Sequence, residues 1–125
     1  MNRDLLLHEL CHGLANIDRG CPLVTIKWDD DMEAAVTVPQ WPNTATQDDV
    51  FIGLLAGRLH LDGVTNTDDE FMLRQLPQKE VDRLWSVVVE RIKPKIEAVP
   101  EEVLDDMLDA FNRGEWIQLS PEMLH

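Results

Sequence analysis

His8-Glu9-Leu10-Cys11-His12 puts two imidazoles four residues apart with a carboxylate between them. On a helix that separation brings both rings to one face, close enough to hold a single zinc ion. Glu9 then points about a quarter-turn aside, where a carboxylate can take a proton from a water molecule held near the metal. A complete site needs more than this pentapeptide: a third ligand, and a strand or cleft to hold a substrate.

The element that carries the pentapeptide reads as a helix over residues 3–18. Asn2 is a plausible N-cap and Asp4 favours the first turn, where a negative charge meets the positive end of the helix dipole. Leu6, Leu7, Leu10, Leu14 and Ile17 recur at three- and four-residue steps, an apolar stripe beside the His8/His12 face. Gly20 and Pro22 end it. Two short β-branched runs follow, residues 23–28 and 34–38, separated by acidic Asp29-Asp30-Asp31 and closed by Pro39, which predicts a hairpin or neighbouring strands. An extended peptide could add to the free edge of the 23–28 strand through main-chain hydrogen bonds, or the strand could simply cover the helix.

After a loop through residue 46, Thr46 or Gln47 opens a strongly apolar helix carrying Val50, Phe51, Leu54, Leu55 and Leu59, with Asp62-Gly63 as its stop. Gly53, Ala56 and Gly57 are small enough to let a neighbour approach closely. Thr67 is the natural N-cap of a helix through Leu76, with Asp68, Asp69 and Glu70 in its first turn. Residues 79–93 predict another helix, kinked or ended by Pro94, and Pro100 opens a last one that stops near Gly114. The tail holds Trp116, Ile117 and Leu119 to dock against the rest. The class is α+β and mostly α-helical, with a small two- or three-stranded sheet, in one domain spanning residues 1–125.

Composition narrows the partners. A formal net charge of −13 argues against nucleic acid and anionic membrane, both of which repel such a chain, though acidity also serves solubility alone. No run of eighteen apolar residues predicts a membrane span, and the first residues do not read as a secretory signal. Two cysteines ten residues apart, Cys11 and Cys21, favour reduced thiols and a cytoplasmic setting.

Five segments, in order, resemble the peptidase domain of the FtsH-type membrane-bound AAA+ zinc metalloproteases. They are the His8–Leu14 motif, Pro22-Leu23-Val24-Thr25-Ile26-Lys27, Ala35-Val36-Thr37-Val38-Pro39, Ile52-Gly53-Leu54-Leu55-Ala56-Gly57-Arg58, and Val64-Thr65-Asn66-Thr67-Asp68-Asp69. The resemblance covers residues 8 to about 76 and implies a zincin-like domain standing free of the family's ATPase. It implies His8, His12 and Asp69 as zinc ligands, Glu9 as general base, and unfolded protein or peptide as substrate. Asp68 is the runner-up for the third ligand and Glu70 a weaker one. The chain departs from the family at Leu10-Cys11, where a smaller pair stands and where bulk would crowd the metal, and at Leu59-His60-Leu61, which follow the arginine in place of an acidic run.

Several residues keep more than one reading. Cys11 is a ligand, an oxidation-sensitive neighbour or a small buried hydrophobe. His60 is a helper for the developing oxyanion, a role open because the chain has no tyrosine, or a structural histidine. Trp28, Trp41 and Trp116 line a peptide groove or pack. The function itself is either peptide-bond hydrolysis or, on the same frame, a non-catalytic protein-interaction or regulatory module.

Overall fold

Every residue from His8 to Ile17 is buried, so the first helix, α1 (Arg3–Asp18), is enclosed on all sides rather than laid on a surface. The computed structural model describes residues 3–31, 33–60 and 67–124, with the backbone alone for 67–69 and 123–124. One side of α1 faces a three-stranded antiparallel sheet of β1 (Val24–Asp29), β2 (Ala34–Pro39) and β3 (Ile117–Leu119) in the order β2-β1-β3. Leu6, Leu10 and Ile17 pack there against Val24, Ile26, Ile117 and Leu119. The register runs Val24 to Pro39 through Asp29 to Ala34 on one side of β1, and Val24 to Leu119 with Ile26 to Ile117 on the other.

The other side of α1 meets a helical layer. It begins with α2 (Gln47–Leu55), which tightens into a 3₁₀ turn over Ala56–Leu59, and continues with α3 (Thr67–Arg74) and α4 (Gln78–Val87). Ala15 of α1 joins Ile52, Leu55, Leu73, Leu84, Val88 and Ile92 in this second core. A leucine taken fully out of water contributes roughly 1.5–3 kcal/mol. Two apolar clusters that both include α1 residues therefore make this helix the shared wall of the fold.

Pro94 does not end the fourth helix. The chain passes from α4 through a π-helical stretch, Val88–Ile92, directly into α5 (Lys93–Glu97), and the Lys93 N–H reaches back five residues to the Val88 carbonyl. Proline lacks an N–H and its ring crowds the carbonyl four residues earlier; one widened turn accommodates both. The last helix, α6 (Glu101–Asn112), closes on Gly114 and sends the chain back into the sheet as β3, a strand the tail had offered only as docking residues. Pro121–Leu124 form a final 3₁₀ turn. Among the described residues no helix is long and apolar enough to cross a membrane.

The strand at residues 23–28 was expected to present a free edge. It is instead the central strand: β3 covers Val24–Ile26, and the edge beside α1 belongs to β2. The reason lies some ninety residues downstream, where Ile117 and Leu119, both buried, take the second side of β1.

Candidate metal and catalytic site

α1 and the segment 46–60 run antiparallel, tied together at both ends. Thr46 caps α2 through a reciprocal pair of bonds with Asp49, and Asp49 also accepts from Arg19 Nε at 2.9 Å, fixing the start of α2 to the end of α1. At the far end, the His60 ring meets Asp4 at 2.9 Å and Arg3 pairs with Glu101, pinning the first turn of α1. His8 and His12 lie between these ties.

Each imidazole is held by a main-chain carbonyl of the facing segment. His8 Nδ1–H donates to the His60 carbonyl at 2.7 Å, and His12 Nδ1–H donates to the Gly53 carbonyl at 2.8 Å. A carbonyl only accepts, so both protons sit on Nδ1 and both Nε2 atoms carry lone pairs. Those two Nε2 atoms face each other at 3.2 Å, with the rings edge-to-face. Burial lowers both rings, His12 to about 4, with the carbonyl bonds opposing and the neighbouring histidines adding to the depression. Neutral at pH 7, the pair cannot share a proton without one ring becoming a buried cation.

This arrangement fits zinc. Two imidazole nitrogens bound tetrahedrally at about 2.0–2.1 Å stand roughly 3.3 Å apart, close to the observed spacing. Nδ1 donation to a carbonyl is the outer bond that orients metal-binding histidines. Gly57 makes room: a Cβ there would meet His12 Cε1 and Nε2 at 2.5 Å and His8 Cε1 at 2.9 Å. The 3₁₀ turn thus presents bare backbone to both rings.

Among the described residues no group of three His, Cys, Asp or Glu side chains converges as a metal site. The third ligand expected at Asp69, and its runner-up Asp68, have side chains outside the described residues. Their backbone opens α3, and the next residue ties that turn to the site: Glu70 accepts from Nε and Nη2 of Arg58 at 3.0 and 2.9 Å, one residue beyond Gly57. The same pairing holds the Glu70 carboxyl below its usual range and engages it away from any ligand role.

Glu9 turns toward the sheet. Thr37 Oγ1 donates to its carboxylate oxygen Oε2 and lies 3.3 Å from its carbonyl. Glu9 and His12 then line a cleft of about 170 Å³ bordered by Val36, Thr37 and Pro39 of β2, Trp41, and Val50, Gly53 and Leu54 of α2, with Asn16 at its side. The arrangement can hold a cation at two nitrogens, and it sets the Glu9 carboxylate and His12 in one cleft that runs along a strand edge.

Other candidates sit elsewhere. Cys11 lines a separate cavity with Leu7, Leu59, His60 and Ile96, and burial pushes its thiol up to about 12, which makes it a buried hydrophobe. Leu10 packs into the sheet-side core, so neither residue crowds the space between the imidazoles. The His60 ring is engaged by Asp4, and its carbonyl orients His8. Of Trp28, Trp41 and Trp116, Trp41 lines the cleft; Trp28 packs on the core and Trp116 is exposed with Lys27 Nζ 5.0 Å above its ring. Thr37 and Asn16 were not singled out by sequence; Asn16 continues the four-residue step of His8 and His12, whereas nothing in the local spacing marks Thr37.

No family model matches the chain, and neither the curated proteins nor the solved structures contain a significant match to it.

Proposed function

We propose that the chain is a zinc-dependent metallopeptidase domain of the FtsH type, acting on peptide or unfolded protein in the cytoplasm. The observation that carries this reading is the pair of carbonyl-anchored imidazoles whose Nε2 atoms meet at 3.2 Å, one of them, His12, lining a cleft that also holds Glu9. Two buried free thiols suit the compartment.

His8 and His12 would hold the metal, with Asp69 entering from the first turn of α3. When bound, zinc supplies a Lewis acid for the scissile carbonyl and lowers the pKa of an attacking water. Glu9 takes the proton of that water and returns it to the leaving amine, while Thr37 keeps the carboxylate turned to the cleft. Among the described residues the outer edge of β2 pairs with no strand, so its main chain can hold an extended peptide beside Glu9. The cleft between β2, Trp41 and α2 receives one of the peptide's side chains.

Elemental analysis of metal-replete protein should find about one zinc per chain, lost in His12→Ala and in Asp69→Ala. Glu9→Gln should keep the metal and abolish cleavage of an unfolded protein. Wild-type activity in Glu9→Gln, or no zinc in the wild type, overturns the reading.

A further inference from the structure

We propose that Asn16 makes the cleft a subsite for a substrate side chain tipped by an amide, glutamine foremost, over apolar side chains of the same size. The inference rests on the peptidase reading above.

Asn16 lies one helical repeat beyond His12 on α1, so His8, His12 and Asn16 form one row along the helix. It is 5% exposed. Among the described residues its side-chain amide makes no hydrogen bond, yet none of its polar atoms is sealed off, because the amide borders the cleft. Protein interiors rarely hold an amide this way, since each buried polar group left without a partner is costly. Water can serve it while the cleft is open, a cavity of about 170 Å³ being ample for that. A ligand that displaces the water must replace its bonds.

The position of the amide is set by its neighbours. A Cβ at Gly53 would collide with Asn16 Oδ1 and reach Trp41 Cζ2 at 3.5 Å, so the missing side chain on α2 leaves the slot in which the amide lies. Around it the walls are apolar: Val36, Pro39, Trp41, Val50 and Leu54. Methylenes of an incoming side chain lie against these, and its tip reaches the amide. An amide tip both donates to Asn16 and accepts from it, replacing the water fully. A methyl or thioether tip displaces the water and returns little, leaving the Asn16 amide buried without a partner. A carboxylate tip meets the Glu9 charge in the same cleft.

The probes are two peptide hydroxamates, chelators of active-site zinc, identical except for glutamine or methionine at the side chain nearest the hydroxamate. Their affinities for zinc-loaded protein are measured by calorimetry, so no turnover is needed. Wild type should bind the glutamine probe about ten- to a hundredfold more tightly. Asn16→Leu and the smaller Asn16→Ala, each checked for retained zinc, should erase or reverse that ratio. Binding of both probes with equal affinity by wild type overturns this inference and leaves the peptidase reading standing. So does a glutamine preference that persists in either variant. Failure of both probes to bind zinc-loaded wild type overturns the two together.

Discussion

Gly57→Ala tests the geometry of the histidine pair without touching either histidine. An alanine Cβ at this position stands 2.5 Å from His12 Cε1 and Nε2 and 2.9 Å from His8 Cε1, where ordinary contact begins at 3.4 Å. His12 must therefore retreat by about 0.9 Å or the 3₁₀ turn must lift away. Either movement strains the 2.8 Å bond from Nδ1 to Gly53 and opens the 3.2 Å Nε2 spacing toward roughly 4 Å, wider than two nitrogens on one tetrahedral zinc. Overpacking of this kind costs about 1–3 kcal/mol, which lowers the melting temperature of a chain this size by roughly 4–12 °C. Loss of ligand orientation weakens metal binding about 10- to 100-fold. The assay is a competition titration against a chromophoric chelator, with thermal unfolding of the metal-free protein alongside. A Gly57→Ala protein that melts with the wild type and binds zinc within twofold of it would refute the reasoning, because the rings would then not need bare backbone against them.

Other expectations follow from the same contacts. Thr37→Val keeps the shape of the strand but removes the hydroxyl that Glu9 accepts from, costing about 1–3 kcal/mol of stability and lowering peptide cleavage with zinc content unchanged; Thr37→Ser should restore both in chemical denaturation and kinetic assays. Leu119→Ala empties the place between β3 and Gly13, where the leucine is 1% exposed, and should cost about 2–5 kcal/mol in urea unfolding. For the metal-free protein, His12 titrates near 6.5 when unfolded but only at about 4 when folded. Between those values the unfolded chain binds more protons, so stability falls as pH drops through that window, by about 3 kcal/mol in all, with His8 acting in the same direction. Denaturant melts at pH 7 and pH 4.5 should show this loss, and His12→Gln should lose less; equal slopes for the two proteins would contradict it.

Much of this frame is readable in the sequence because its signals are local. The leucines of α1 and its Gly20 stop place the helix at residues 3–18, as found, and of the two openings read for α2, Thr46 and Gln47, Thr46 is the cap and Gln47 the first helical residue. Small residues at 53, 56 and 57 announce a close neighbour, though not which one. What the sequence hides depends on distant partners. The order of the strands is decided by Ile117 and Leu119, whose three-residue strand is too short for alternation to be recognised. The carbonyls of Gly53 and His60 that orient the imidazoles leave no trace in residue type, since every residue has a carbonyl. Thr37 and Asn16 become part of the site only when β2 and α2 close against α1. Of the two outcomes open at Pro94, a kink or an end, the helix does not end: it continues through a wider turn at Val88–Ile92, whose two end residues are buried in the second core.

The two carbonyl anchors of the histidines come from a single stretch of chain, seven residues apart, clamped at one end by Arg19 with Asp49 and at the other by Asp4 with His60. The rings are consequently oriented by packing that requires no ion, unlike small zinc modules whose fold depends on the metal. Such preorganisation lets a cation enter without rearranging the protein and leave without unfolding it. For zinc held there as proposed, exchange would be governed by access to the imidazoles and not by the stability of the domain, so a chelator should strip the metal while the two cores stay intact.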